Sequence, residues 1–599
     1  MIWNICFPLS LIVLVVGAVI AMRLFRNKRM QNNDTLGFFT LAISTFVALT
    51  VMYYALEYSQ LYCEEQIGWF TAIFVAVRDT IGTFVVDGDF SFYAENMPGM
   101  LPWIVPVCSV AMALMIIAAP VFTFGFLLSF FKNLSSMIRF SLKKKANVYV
   151  FSELNEKSLV LATDLKNNDE HRVIVFCDVF ENDDERFGEM LSEAKKIRAI
   201  FFQKDILDID FKKHIKRGSV YFMIMGQDDA ENIKQSLVLI REYGDCANAN
   251  LYLLSESVTS ELLLLCGKKH RMKIRNVNES VALIQRTLYD DPISIFQNTQ
   301  EVTPEGDKVI SAVVVGLGGY GVEMLKTLVW YGQMDGYRLQ IHAFDKDKKA
   351  EQRMQYLCPE IMSKEYSGTF VHGEAFYQVE VHSGVEVGTM DFANHINAIK
   401  NASFVMVCLG SDDLNIETAI GLRMLYERMG IHPAIYAVVH NDALSEALAD
   451  ATNYKNQSYD IRMIGGIEKL YSEKVLMDVK LEKEALAIHC AYDPAETFFI
   501  YEYSRQSSTA SALHNRARAE LKIHGAHLPA AERTKEQEQA LMVLEHRRWN
   551  AYMRSIGYVY SGSDDASTRN DLGKMHHNLA CYDRLNRADK DKDRRVSSV

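Results

Sequence analysis

Hydrophobic residues follow two different patterns along this chain, and the change falls near residue 146. Before it, three uncharged runs occupy residues 5–22, 35–56 and 96–131 and are 18, 22 and 36 residues long. About 20 apolar residues carry a helix across the hydrocarbon core of a bilayer, so three membrane spans are expected. Residues 68–90 differ: they begin apolar, are interrupted by Arg78 and Asp79, and close on Asp87, Gly88 and Asp89. Such a stretch is expected to enter and leave on one side, as a re-entrant helix and loop buried in protein or lining water. From residue 147, short β-rich apolar runs alternate with amphipathic stretches, at 148–151, 173–176, 199–202, 220–225 and 251–254, then at 312–315, 339–344, 404–409 and 434–439. That alternation is the βαβ pattern of a parallel sheet flanked by helices.

The second series repeats the first. GQDDAENI from Gly226 answers GSDDLNI from Gly410, 410 − 226 = 184 residues later, and IRNVNE from Ile274 answers IRMIGGIE from Ile461, 461 − 274 = 187 residues later. Two tandem copies of one Rossmann-like unit account for both offsets. In the second copy GLGGYG (Gly316, Gly318, Gly321) lies between a strand and a helix, and Asp345 ends the next strand, 345 − 321 = 24 residues on. This is the dinucleotide fingerprint in its proper context. The glycines permit a tight turn and a close approach of phosphate to backbone N–H groups, and the acid can accept hydrogen bonds from a ribose. The motif reads as a site for NAD or another adenine nucleotide, or as the glycines of a purely structural turn. The corresponding turn of the first copy, 151–158, contains no glycine, so a phosphate is expected to approach it poorly. Asp228, Asp229, Asp412 and Asp413 fall at strand ends, where they read as ligand-facing acids or as helix caps.

Charge and cysteine usage narrow the partners. A net charge of −11 argues against a nucleic-acid binder, which needs a concentrated basic surface. Ten scattered cysteines with no CxxC pair suggest neither a zinc site nor a disulfide framework, and no metal site is expected. Between residues 57 and 95 stand seven acids (Glu57, Glu64, Glu65, Asp79, Asp87, Asp89, Glu95) against one base, a balance that favours cations at a pore mouth or marks a solvated loop. Basic residues flank the cytoplasmic ends of spans. Here they stand at Arg23, Arg26, Lys28 and Arg29 and again at Lys132, Arg139, Lys143, Lys144 and Lys145. The N-terminus is thus expected outside the plasma (inner) membrane and everything after 145 in the cytoplasm. In the last span, Pro120 and Gly125 would suit a bending helix.

Near the C-terminus LEHRRWNAYMRSIGY (544–558) is followed by KMHHNLACYDRL (574–585). Helical spacing puts Glu545, Arg548, Trp549 and Tyr552 on one face. With His576 and Tyr582 they supply the indole, phenol and guanidinium of a base-stacking, phosphate-pairing pocket, or else the aromatic core of a small domain. No nucleophile, metal cluster or placed acid/base pair accompanies these motifs, and the chain is not read as an enzyme.

Three family resemblances follow from these residues. Span, re-entrant segment and span resemble the pore of potassium channels, with Thr80, Ile81, Gly82, Thr83 and Phe84 standing where that family has a TVGYG-like filter strand. Tandem Rossmann units after an inner helix resemble RCK (Trk-type) regulatory domains, over roughly 147–480. EHxRW with a later HxNLxxYxxL resembles the ryanodine-receptor-type (RyR) repeat, over about 536–595, with Cys581 where proline is common. Together they imply a homotetrameric, ligand-gated channel for a monovalent cation such as potassium. They also imply nucleotide-messenger sensing, which in some prokaryotic proteins of this combination serves antiviral defence. The alternatives are a membrane-anchored dinucleotide-dependent enzyme and a non-conducting nucleotide sensor. The expected fold class is an α-helical membrane pore domain plus α/β tandem Rossmann-like parallel sheets, with a small mainly α C-terminal domain. The expected divisions are an anchor (1–35), a two-span pore domain (36–131), a linker (132–146), two Rossmann-like domains (147–300 and 301–485), a connecting helical region (486–535) and the RyR-like domain (536–599).

Overall fold

The computed structural model describes residues 2–26, 33–61, 68–85, 105–142, 147–179, 185–256, 270–299, 301–363, 377–477 and 479–598. It comprises two compact units, one of the N-terminal helices with residues 177–182 and 200–209, the other a larger body of sheets and helices. The first holds α1 (Trp3–Arg26), α2 (Asn33–Leu61), α3 (Trp69–Phe84) and α4 (Val105–Leu142). Three stretches, Ile5–Arg23, Leu36–Tyr58 and Val105–Leu127, are long and apolar enough to cross a membrane. α2 packs on each of the other three helices, and its Ala48, Leu49, Met52, Tyr53, Ala55 and Leu56 form a core with Ala76, Cys108, Met112 and Ala119. Small residues set the close approaches, as is usual between apolar helices. A Cβ on Gly17 would lie 2.3 Å from Ser44 Oγ, and one on Gly125 would lie 2.8 Å from the Phe38 ring. Gly125 thus has a packing role, and α4 runs through both Pro120 and Gly125 as one helix.

After the N-terminal helices the chain forms two parallel six-stranded sheets. Their orders are β3-β2-β1-β4-β5-β6 and β9-β8-β7-β10-β11-β12, the same Rossmann arrangement twice. The strands are β1 (Val148–Phe151), β2 (Val173–Cys177), β3 (Ile200–Phe202), β4 (Val220–Ile224), β5 (Ala249–Leu254) and β6 (Lys273–Val277), then β7 (Lys308–Val315), β8 (Tyr337–Asp345), β9 (Tyr377–Ser383), β10 (Phe404–Val407), β11 (Ala434–Val438) and β12 (Ile461–Ile464). β1, β7 and β10 are apolar and buried almost throughout, as strands covered on both faces must be. The helices that matter for the sites are α5 (Glu156–Asn168), α6 (Asp229–Tyr243), α7 (Glu279–Asp290), α8 (Gly319–Tyr331), α9 (Met390–Ala398) and α10 (Asp412–Met429).

After the second sheet come α11 (Val479–Cys490), α12 (Glu502–Glu520), α13 (Lys535–Ser555) and α14 (Arg587–Ser597), with a two-stranded ladder of β13 (Val559–Tyr560) and β14 (Met575–His576). α13 starts from a capping box in which Thr534 and Gln537 satisfy each other's backbone N–H. It packs on α8, α12 and α14. Contacts with the second Rossmann unit are polar as well as apolar. Asp335 accepts hydrogen bonds from Arg547 (2.7 Å) and pairs with His524 (2.6 Å), Glu360 pairs with Arg554, and the Cys358 thiol donates to the Ser555 carbonyl (3.2 Å).

Candidate nucleotide-binding sites

The turn between β7 and α8 is shaped by its glycines. Gly316 has φ +94°, and a Cβ there would lie 2.6 Å from the Cys408 carbonyl oxygen. A Cβ on Gly321 would lie 1.7 Å from the Gly316 carbonyl oxygen. Gly318, the residue before α8, faces open space instead. Two glycines therefore close the turn and one leaves its mouth clear, beside first-turn N–H groups that have no acceptor within the helix. Cys408 lies beneath, its thiol donating to the Gly316 carbonyl at 3.3 Å, and burial pushes that thiol up to about 12.

Asp345 is placed as the fingerprint requires but is already engaged. Its carboxylate accepts from the Leu317 N–H (2.7 Å) and from the Asp347 N–H (2.7 Å), so it holds the glycine turn in place. Each carboxylate oxygen has a second lone pair, which leaves acceptor capacity for a ribose. Facing the turn is the start of α7 from the first copy: a Cβ on Gly319 would lie 3.2 Å from Ser280 Oγ. Next to it the Tyr320 hydroxyl donates to Glu279 (2.8 Å), which also accepts from Lys157 (2.8 Å) and Tyr471 (2.5 Å). Burial by itself would raise the Glu279 carboxyl, but these hydrogen bonds outweigh it and hold the group below its ordinary range. Nothing in the spacing of the sequence pointed to Glu279.

In the first copy, the turn's own side chains engage backbone groups around it. Asn155 caps α5 by accepting from the Ser158 N–H (2.9 Å) and donates to the Met225 carbonyl (2.7 Å). Glu153 accepts from the Gln227 N–H (3.0 Å). The strand-end acids divide in role. Asp228 caps α6, accepting from Ala230 and Glu231. In the second copy Ser411 is the cap, and Asp412 reaches across to the His440 and Asn441 N–H groups at 3.0 and 2.8 Å.

Compared with known proteins, the chain matches no protein-family model and no curated protein.

The C-terminal motif separates into two clusters. Trp549, half-buried, meets the His576 ring edge-on at 5.0 Å and stacks on His546 at 5.8 Å, and Tyr582 lies 5.9 Å from His546 on the other side. His546 Nδ1 lies 3.3 Å from the Asp593 carboxylate of α14, which links α14 to α13. Arg548 and Tyr552 face elsewhere, which corrects the single-face expectation. Arg548 is 1 % exposed and bonded to Glu545 (2.8 Å), which also pairs with Arg518 (3.1 Å) and accepts from Ser511 (3.0 Å). Tyr552 packs edge-on against Trp330 of α8, 6.2 Å between ring centres. Arg548 is thus a structural cation, and the aromatic cluster holds Trp549, His576 and Tyr582 without it.

Burial, reinforced by Arg569 and His577 and opposed by Asp571 and Asp589, lowers His576 from 6.5 to about 4. His514, buried beside Arg518 and Arg548 and bonded to the Gln333 carbonyl (2.8 Å), is also held well below its ordinary range. Between the folded and unfolded values the unfolded chain binds protons that the folded chain refuses, so stability increases with pH there. The contribution is complete above about 6.5 and is lost as pH falls toward 4. The melting temperature of the detergent-purified chain is accordingly expected to fall between pH 7 and pH 5; an unchanged value would show that these rings do not titrate as their burial requires.

The pore expectation is corrected in one respect. Thr80, Ile81, Gly82, Thr83 and Phe84 lie inside α3 and are not an extended filter strand. Gly82 and the β-branched residues between Trp69 and Phe84 are weak helix formers, but the segment is apolar and packed, and two threonines bind it to α2. Thr80 accepts from Thr50 (3.1 Å), and Thr83 shares a hydrogen bond with Tyr53 (2.6 Å). Asp87 and Asp89, like Glu64, Glu65, Glu95 and Lys143 to Lys145, lie outside the described residues.

Proposed function

We propose that the chain is a ligand-gated cation channel of the plasma membrane, assembled as a homotetramer with its N-terminus outside. In this reading nucleotide binding by the cytoplasmic domains controls the conduit. The observation that carries it is α3. At 1.5 Å per residue its 16 residues reach about 24 Å, short of the roughly 30 Å hydrocarbon core, and it packs between two span-length helices, α2 and α4. A short helix between two spans delivers its C-terminal end, where the dipole is negative, to the interior of a membrane protein, where it attracts cations. Asp87 and Asp89 follow within five residues of that end. α4 leaves Val107, Val110, Leu114, Ile117, Val121 and Phe124 exposed at alternating spacings of three and four, the repeat by which helices pack on one another. This stripe supports association between copies.

α8 supports the gating half of the proposal. One end begins at the open glycine turn, with Tyr320 bonded to Glu279 of the first Rossmann unit. The other end carries Trp330, packed on Tyr552 of α13. A nucleotide stacked on Trp549 or seated at Gly318 therefore acts on the same rigid element, and antiviral messenger sensing is one use of such an arrangement.

The test is electrical. Full-length protein reconstituted in planar bilayers is expected to carry cation current that cyclic or linear adenine nucleotides change. Stacking on one aromatic is worth about 1–3 kcal/mol, so Trp549→Ala should raise the effective nucleotide concentration about tenfold or more. Folded protein that conducts nothing with any nucleotide would defeat the channel reading.

A further inference from the structure

β8 and the edge strand β9 run in register, with His342 opposite Glu380 and Phe344 opposite His382. Paired positions and positions two apart point to the same side of a sheet, so His342, Glu380 and His382 share one face. Their donor atoms all lie within 4.8 Å of one another. His342 Nδ1 is 3.4 Å from Glu380 Oε2. Among the described residues, neither His342 Nδ1 nor His382 Nε2, both buried, has a hydrogen-bond partner. Two imidazole nitrogens shielded from solvent and without a hydrogen bond, beside a carboxylate, are an arrangement that folding alone does not favour.

We propose that His342, Glu380 and His382 bind a divalent transition-metal ion of the zinc class at the edge of the second sheet. Two imidazoles and one carboxylate are borderline ligands that select zinc-like ions over calcium or magnesium, which take oxygen alone. Three protein ligands leave a fourth tetrahedral position for water. Bonds of about 2.0–2.2 Å place tetrahedral donors roughly 3.4 Å apart, so donors up to 4.8 Å apart close by up to about 1.4 Å on binding. The supporting groups are present. Gln378 donates to Glu380 Oε1 at 3.1 Å and aims the carboxylate, while the Phe344 ring stacks on His382 at 4.5 Å and fixes its plane. His395 of α9 borders the site, with its ring centre 5.1 Å from that of His382. Glu380 is half exposed, which gives the ion an entry path.

An ion here ties the edge strand to β8 three residues before Asp345, whose carbonyl accepts the Gly384 and Val385 N–H groups just past β9. The site is independent of whether the chain conducts ions.

The test uses metal-stripped, detergent-purified full-length protein dialysed against zinc chloride. The wild type is expected to hold one zinc per chain more than the His342→Gln/His382→Gln double variant. Cobalt substitution should give visible d–d bands with no thiolate charge-transfer band. Since the histidines also pack on Phe344, Glu380→Gln serves as the mild variant: zinc affinity should fall about tenfold or more while the metal-free melting temperature stays unchanged. Equal zinc in wild type and double variant, thiolate ligation of cobalt, or full affinity in Glu380→Gln would each overturn the proposal.

Discussion

Glu545→Ala is expected to destabilise the C-terminal part of the chain by about 3–5 kcal/mol, because it leaves two buried guanidinium groups without their shared carboxylate. Glu545, Arg548 and Arg518 are 3 %, 1 % and 2 % exposed, and the acid bonds both arginines. Burial alone would raise the Glu545 carboxyl, yet Arg548 and Arg518 outweigh it and hold the group below its ordinary range. A purely apolar cluster of the same volume avoids the desolvation altogether. The triple variant Glu545→Leu/Arg518→Met/Arg548→Met should therefore recover most of the stability lost in the single one. Thermal melting of the three proteins decides the matter, and a single variant as stable as the wild type would show that the ion cluster contributes nothing.

Gly321→Ala is expected to be nearly as damaging, at about 2–3 kcal/mol, since the added methyl meets the backbone of its own turn. No side chain can yield to it: the nearest atom, the Gly316 carbonyl oxygen, would be 1.7 Å away. Gly318→Ala meets nothing within 4 Å and should leave the fold intact. The pair thus separates structural from ligand-facing glycine. If Gly318→Ala weakens nucleotide binding while its melting temperature matches the wild type, the mouth of the turn is a phosphate site; unaltered binding would reduce all three glycines to a folding role.

The duplicated βαβ pattern was legible in the chain because strand periodicity and internal offsets are local properties, and both sheets have the strand order that this pattern implies. The glycine turn was legible for the same reason. What escaped depended on partners distant in sequence. Glu545 and Arg548 stand three residues apart, a spacing that puts them on one face and equally lets them pair with each other, and the deciding residue, Arg518, lies on a different helix. Thr80 to Phe84 offered filter-like residue types, but helix continuity from Trp69 took precedence over them. His342 and His382 are 382 − 342 = 40 residues apart with no motif between them, and only strand register brings them together.

The turn of the first Rossmann copy has a consequence for how the two copies respond to their surroundings. Asn155 and Glu153 accept from the backbone of that turn and its neighbour, so these N–H groups are satisfied from within the chain. The open turn at Gly318 has no such self-sufficiency, and anything it captures stabilises it by RT ln(1 + [L]/Kd). If the second copy binds a ligand, the first serves as its fixed reference, because the two meet at Glu279.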